Sequence, residues 1–539
     1  MKRLKDPIYG YIEIDDDLFD LIIDTPEFQR LRGVTQTSYA PLYASAVHNR
    51  FIHSLGVFHL GKIFSESISK TKRVTKLERN LLNKYLPVFN YACLLHDVGH
   101  APFSHTGEHC FLDAADSRKP LHNLIIELTK DLELEQEISD KNYKAAPHEL
   151  MSVIVSLKCF SDIFHDNDER SFFARCILGY SYVSKEKDKS FLNCLISILN
   201  SSIIDVDKLD YLIRDAFITG YDTVSIDYKR LLKSIRIVNK DGLYKVVYTQ
   251  ASISVIEDVV YAHDSERKWI QNHPVVQYDA FLLQHAIEVI RYKHNDLFAY
   301  DALSKRGVSI SDNYKVSLIS DSDIIFLMKN YINNDQLIEE YFDRKNRRHP
   351  LWKSEAEFKA IFNKGFSEQA YEIIESRLSN LSKYLLTANS SIIMNQSTLE
   401  GLQNDIKASK EACKTADKKS KKNLIAANKE KEKLLKLLKC FQSFAKEQKI
   451  EFDFIILFTK RFNSGFVKVD FDKVEIEFSS LQSIHHFKKV ANTLSASKSE
   501  RDNYFYVYYK RQDRKKRIDV ARMAELLNLY AVDEVYKSE

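Results

Sequence analysis

Residues 92–105 read ACLLHDVGHAPFSH, which sets His96, Asp97, His100 and His105 behind an apolar run. Imidazole nitrogens and carboxylate oxygens crowded in this way serve either a transition-metal ion or proton transfer near neutral pH. An isolated His-Asp pair at a helix end is more often a surface cap. Here, though, the preceding Tyr91–Leu95 is apolar enough to be buried, and buried ionisable groups must be paired or metal-bound. His96 and Asp97 can share one ion only if other segments contribute ligands. His53, 43 residues upstream in HNRFIHSLGV, and Asp207, 110 residues beyond Asp97 in IIDVDKLDYLIRD, are the candidates. Together His53, His96, Asp97 and Asp207 would form a two-histidine, two-carboxylate site suited to Fe, Mn or Zn, with positions open for substrate or water. Asp207 stands among Asp205, Asp210 and Asp215, and this run also reads as a solvent-facing acidic stripe.

Such residues need rigid carriers. Only 13 Gly and 9 Pro in 539 residues, with long Leu/Ile/Lys/Glu-rich segments of helical period, predict a mainly α protein. Residues 83–97 read as a core helix that delivers His96 and Asp97 near its C-terminal end, with Gly99 as the break. Residues 194–216 read as a second core helix, because Ile196, Leu199, Ile203, Val206, Leu209 and Ile213 recur at three- and four-residue spacing. A hairpin is expected over 240–249 and helix again over 255–297. Residues 396–447 keep helical period under a heavy lysine load and predict a long helical hairpin, read either as a solvated helix pair or as a surface for an anionic partner. Strand-like runs at 451–458, 466–478 and 504–511, followed by a terminal helix from 519, predict a small C-terminal α/β subdomain. The expected organisation is a catalytic core over 1–300, a helical extension over 301–395, the lysine-rich hairpin over 396–447 and the α/β subdomain over 448–539.

The chain carries 79 basic and 75 acidic residues, a net charge of +4, which excludes a protein that coats nucleic acid through its overall charge. Its seven cysteines are odd in number, scattered and without a C-x-x-C pair, so neither a disulfide framework nor a zinc ribbon is expected. No apolar leader or membrane-length apolar window is evident, and a cytoplasmic, membrane-free location is expected.

The phrases HNRFIHSLGV, LLHDVGHAPFSH and DVDKLDYLIRD, in that order and preceded by DPIYGYIEI and IIDTPEFQRLRGVTQ, resemble the HD-domain deoxynucleoside triphosphate triphosphohydrolases. The resemblance is close over about 5–110 and 145–225 and thins towards 300. It implies a helical HD-domain core around one metal ion, and hydrolysis of a dNTP to the deoxynucleoside and inorganic triphosphate, with Mg on the nucleotide phosphates. By position it implies His53, His96, Asp97 and Asp207 as metal ligands, Arg50 and Lys208 as phosphate holders, and His100, His105 and His148 around the cleavage site, with His105 as general acid. It also implies that Tyr211 excludes a 2′-hydroxyl, that Asp215 and Gln36 bind the 3′-hydroxyl, and that Thr37 stands where a leucine touches the base. Asp24, Gln29, Arg30 and Arg32 match a guanine-reading site for a dNTP or GTP effector at a subunit interface, in a dimer or tetramer. From the residues alone, Tyr211 reads more readily as a core aromatic, and the 24–32 phrase equally as a helix with Asp24 as N-cap.

Departures from the pattern widen the range of functions. Gln271 and Asn272 replace a Tyr-Gln pair that contacts base and sugar, His263 replaces an arginine of the triphosphate tail, and Lys5 replaces an effector-site asparagine. The insertion between His105 and His148 predicts a helix near the site mouth. An HD-type phosphodiesterase on another nucleotide, or a nucleotide sensor with nucleic acid as a secondary partner of the lysine-rich hairpin, are the alternatives. A dNTP hydrolase of this kind would deplete dNTP pools, as in defence against phage.

Overall fold

The computed structural model describes residues 1–70, 75–112, 118–139, 145–201, 204–221, 225–294, 297, 300–304, 308–311, 314–362, 367–389, 392–415, 417–459, 474–478, 481–483, 504–513 and 516–536. The chain is mainly helical and divides into two compact units.

The first unit comprises 1–271, 279–338 and 463–501. Its centre is the helix Arg50–Ser69, which packs against both Lys76–Leu95 and Val206–Thr219. Local chemistry sets the ends of these helices. Asn49 caps the first by accepting from the Ile52 amide at 3.2 Å, Thr75 and Glu78 form a reciprocal box at the start of the second, and Asp205 caps the third by accepting from the Lys208 amide at 2.7 Å. Phe51, Leu55, Phe58, Phe64, Phe89 and Leu94 fill the space between them.

Several expectations shift. The helix carrying His96 begins at Lys76 and ends at Leu95, with His96 as its cap residue, so it stops four residues before Gly99. Gly99 has another use: a Cβ there would lie 2.2 Å from the Ser152 amide nitrogen, so its absence lets the helix Pro147–Cys159 come against the turn. The single helix expected over 194–216 is two, Lys187–Leu199 and Val206–Thr219. The apolar spacing runs across the interruption, but Asp205 takes up amides as an N-cap and restarts the chain as a new helix. The hairpin is longer than expected: Ile235–Lys240 pairs with Leu243–Thr249 around Asp241-Gly242, both at positive φ. Helix follows as Ile253–Glu266 and Pro274–Lys293, with a π turn at Arg267–Gln271 between them. The insertion forms two helices, Arg118–Thr129 and Leu132–Ser139. The first packs on the helices Pro147–Cys159 and Asn167–Leu178, and buried Arg175 of the latter bonds Asp131 at 2.9 Å and Glu137 at 2.9 Å.

The second unit comprises 272–278, 339–462 and 502–539. Asp453–Phe458 and Phe505–Tyr509 pair antiparallel at the centre of a four-stranded sheet, flanked by Met394–Asn395 and His349–Pro350. The lysine-rich hairpin forms as Gln396–Thr415 and Lys418–Gln448, with Lys410 paired to Glu432 at 2.6 Å and Lys431 to Asp405 at 3.6 Å across it. Arg348 is fully buried between Asp453, at 2.6 Å, and Glu340.

The expected divisions at 300 and 448 are not where the units part. Residues up to 338 belong to the first unit, and of the expected 466–478 strand the described Glu475–Glu477 pairs in parallel with Leu243–Thr249 of that unit. Residues 466–473 lie outside the described part. Sequence adjacency to 451–458 suggested one sheet, whereas pairing follows the exposed edge of the 235–249 hairpin.

Candidate metal centre and phosphate-facing cluster

Each candidate ligand comes from a helix end. His53 lies in the first turn of Arg50–Ser69, His96 caps Lys76–Leu95, Asp97 follows it, and Asp207 lies in the first turn of Val206–Thr219. His53 Nε2 is 3.0 Å from Asp207 Oδ1 and 3.3 Å from His96 Nε2, and Asp97 Oδ2 is 3.5 Å from both imidazole Nε2 atoms. The other ring nitrogens are committed: His53 Nδ1 to Asp210 Oδ2 at 2.7 Å, and His96 Nδ1 to the Cys93 carbonyl at 3.0 Å. Both Nε2 lone pairs therefore converge on one point, the arrangement in which outer partners orient metal-binding histidines. Asp210 is held in turn by Arg214, at 2.9 Å, which also reaches Asp6. A Cβ on Gly56 would meet Asp210 Oδ1 at 1.9 Å, so only glycine lets this buried ion pair press against the helix backbone.

The electrostatics suit a cation. Burial works to raise Asp97, but the Arg50 guanidinium at 2.6 Å, helped by His96 and His100, outweighs it and holds the carboxyl well below its usual range. Burial likewise opposes the charge on Asp207, which His53 and His96 nevertheless keep ionised. Burial disfavours a charged His53, yet bonds to Asp207 and Asp210 raise it to about 9, so an entering ion displaces a proton there. The donor set, two imidazoles and two ionised carboxylates with fixed tautomers, fits a borderline transition-metal ion.

Beside it lies a second cluster. Asp97 Oδ1 is 3.2 Å from His100 Nε2, and His100 stacks on His148 with ring centroids 4.1 Å apart. Glu108 Oε2 is 3.1 Å from His105 Nδ1, while Glu108 Oε1 is 2.9 Å from His148 Nδ1 and accepts from the His148 amide at 2.7 Å. Burial and the nearby positive charges of Arg50 and His148 push His100 well down, so it is neutral. Burial also opposes charge on His148, but Glu108 raises it to about 9. His105 alone of the three presents a largely exposed ring, 64% accessible. The turn before it holds Phe103 and Ser104 at positive φ, fastened by Asp321, which accepts from the Phe103 and Thr35 amides at 2.7 and 2.8 Å.

The remaining expected residues divide. Arg50 does not reach outward: its guanidinium is buried and bound to Asp97, Ser104 and the Gln36 carbonyl. Lys208 folds back on the Ser201 carbonyl and Asp205. Tyr211 is half-buried one turn beyond Asp207, whereas Asp215 is spent on His48 at 2.7 Å. The Gln36 side-chain oxygen and the Thr37 hydroxyl are buried without a hydrogen-bond partner. Gln271 bonds Glu266 at 3.0 Å, whose carboxyl is driven well up by burial and by Asp215.

In the 24–32 phrase, Thr25 rather than Asp24 is the N-cap. Arg30 points inward and donates to the carbonyls of Ile319, Val98 and His100, so it is not a surface effector ligand; Phe28 and Leu31 bury this side of the segment and carry it in. Gln29 ties to the Ile23 carbonyl and to Arg32, leaving Asp24 and Arg32 exposed.

Four residues of the assembly were not anticipated: Glu108, His48, Asp210 and Arg214. Glu108 sits three residues after His105 and Asp210 three after Asp207, a helical spacing that was there to read. His48 opens the phrase HNRFIHSLGV, but nothing local points to its pairing with Asp215.

No family model matches the chain. Over 274 residues it is 29% identical to the deoxynucleoside triphosphate triphosphohydrolase SAMHD1 homolog of Dictyostelium discoideum, covering 49% of this chain and 46% of that protein. Mouse deoxynucleoside triphosphate triphosphohydrolase SAMHD1 is 31% identical over 316 residues, 57% of this chain and 44% of that one. Over about half its length the chain is thus similar to proteins named as deoxynucleoside triphosphate triphosphohydrolases. It spans about half the length of the curated relatives it matches. An uncharacterized protein of Methanocaldococcus jannaschii is 27% identical over 59% of the chain. Two solved structures share the fold: a hypothetical protein from Aquifex aeolicus, TM-score 0.54 at 17% identity over 97% of this chain and 99% of that one, and a phosphohydrolase from Bacteroides thetaiotaomicron, TM-score 0.53 at 17% identity over 95% and 100%. No described helix is long and apolar enough to cross a membrane.

Proposed function

We propose that this protein hydrolyses deoxynucleoside triphosphates in a metal-dependent reaction, releasing the deoxynucleoside and inorganic triphosphate. The observation that carries the reading is the junction at Asp97, one carboxylate facing His53 and His96 through Oδ2 and His100 through Oδ1, so that ligand set and proton-handling cluster adjoin. His53, His96, Asp97 and Asp207 would hold a divalent ion, which when bound would supply charge neutralisation at the phosphoryl oxygens and Lewis-acid activation of the attacking water.

The chain's own groups do the rest. Arg50 keeps Asp97 ionised and aimed. Glu108 holds Nδ1 of both His105 and His148, which leaves each Nε2 to face the substrate. His105, the exposed member, protonates the leaving 5′-oxygen as general acid, and His148 stays cationic to balance the phosphates. Tyr211 limits room beside the sugar. Mg travels with the nucleotide phosphates. The exposed Asp24 and Arg32, with Gln29 between them, are the part of the 24–32 segment open to a nucleotide effector in a homo-oligomer, and dNTP depletion is the cellular consequence.

The test is mass spectrometry of products from each dNTP incubated with Mn²⁺ and the full chain. Triphosphate release by wild type and none by Asp207→Ala is expected. Absence of release from every dNTP, with metal-loaded protein and with or without GTP, would overturn the reading, and monophosphate products would replace it with a phosphodiesterase.

A further inference from the structure

A third group of ligand-type side chains lies outside both clusters described above. His109 Nε2 is 3.3 Å from Cys110 Sγ and 3.1 Å from Glu288 Oε1, and Cys110 Sγ is 3.5 Å from the same Glu288 oxygen. His109 and Cys110 belong to the helix His105–Leu112, and Glu288 to the helix Pro274–Lys293. Neighbouring positions on a helix do not ordinarily face one another, yet here the imidazole lies against the sulfur of the next residue. We propose that His109, Cys110 and Glu288 bind a second divalent cation, zinc in preference, distinct from the ion of the HD centre.

The geometry suits that ion. Tetrahedral zinc with nitrogen, oxygen and sulfur ligands at ordinary bond lengths sets the donor atoms about 3.3–3.6 Å apart. The three observed separations, 3.1, 3.3 and 3.5 Å, need to open by only a few tenths of an ångström. Cys110 is buried while the side chains of His109 and Glu288 are 34% and 48% accessible, so the site has a floor and an entry. Three protein ligands leave a fourth position for water. Burial, reinforced by Glu288, keeps the Cys110 thiol protonated in the absence of the ion. Uptake therefore exchanges the S–H bond for a sulfur–metal bond and releases one proton to solvent. Arg291, 3.8 Å from Glu288 Oε1 and 30% accessible, is the competing cation that uptake displaces. The bound ion would clamp the short helix bearing His105 and Glu108 to its neighbour.

Cobalt distinguishes this site from the HD centre, whose donors include no sulfur. Full-length protein stripped with chelator and titrated with Co²⁺ is expected to develop a near-ultraviolet thiolate-to-cobalt charge-transfer band that saturates by about two equivalents, the HD centre taking the other ion, and is bleached by Zn²⁺. Cys110→Ser removes the band, and Glu288→Gln or His109→Gln weakens cobalt binding there at least about tenfold. A wild-type protein without the band, or a band undiminished in Cys110→Ser, overturns the proposal. If Cys110→Ser is insoluble, an undiminished band in both other variants does the same.

Discussion

Glu108 holds two imidazoles at once, and its partner His148 carries the clearest pH signature at this scale. His148 rises from 6.5 to about 9 against the cost of burial, and Glu108 is depressed below its ordinary 4.5. The stabilisation from the raised histidine is fully present below 6.5 and is lost as pH climbs through about 9; that from the depressed carboxylate is present above 4.5 and is lost in acid. An NMR titration of His148 is expected to return a value near 9 in wild type and at least about one unit lower in Glu108→Gln; a wild-type value near 6.5 would contradict the ion pair. Asp210→Asn keeps shape but weakens the orientation of His53, so metal affinity should fall about 10- to 100-fold while the fold persists, which metal-buffer competition measures. The candidate ligands His53, His96, Asp97 and Asp207 stood out in the sequence because they sit in dense phrases, and the structure brings their side chains together. Asp210 and Glu108 were legible only as helical neighbours of residues already suspected, and the role of His48, although it opens the phrase HNRFIHSLGV, was not, since its partner Asp215 lies 167 positions away.

Among the elements, the helix Pro147–Cys159 reaches the HD turn only because position 99 has no side chain. Gly99→Ala forces a methyl against the Ser152 amide; it should cost about 1–3 kcal/mol and separate His148 from His100, so that thermal stability and turnover drop together. Retained turnover with unchanged melting temperature would refute the close approach. Helix periodicity found nearly every carrier. It failed at 194–216, where the apolar pattern continues in phase through a break made by polar caps. It also could not foresee that the strand at 475–477 would pair with a hairpin more than 200 residues earlier, because edge pairing is a long-range choice that local pattern does not encode.

On the scale of the molecule, each unit has its own core and its own costly electrostatic centre. Arg348→Ala would leave buried Glu340 with the Tyr278 hydroxyl and buried Asp453 with Lys510 at 3.9 Å in place of the guanidinium, a loss of up to about 3–5 kcal/mol that belongs to the second unit. Chelation of the HD ion belongs to the first. Calorimetry is therefore expected to show that Arg348→Ala and chelator lower different transitions; a single transition moved equally by both would show that the units unfold as one. The lysine-rich hairpin pairs Lys410, Lys431 and Lys433 internally but carries more lysines than carboxylates, so its outer face stays basic and is compatible with both the solvated helix pair and a surface for an anionic partner. A last consequence follows from Arg30, which spans three carbonyls, those of Val98 and His100 in the HD turn and that of Ile319. Because its side chain is rooted in the 24–32 segment, displacement of that segment must either forfeit these bonds or drag the turn along. The arginine expected to read a nucleotide from outside thus acts as a tie rod, coupling the outer segment mechanically to the turn that carries Asp97 and His100.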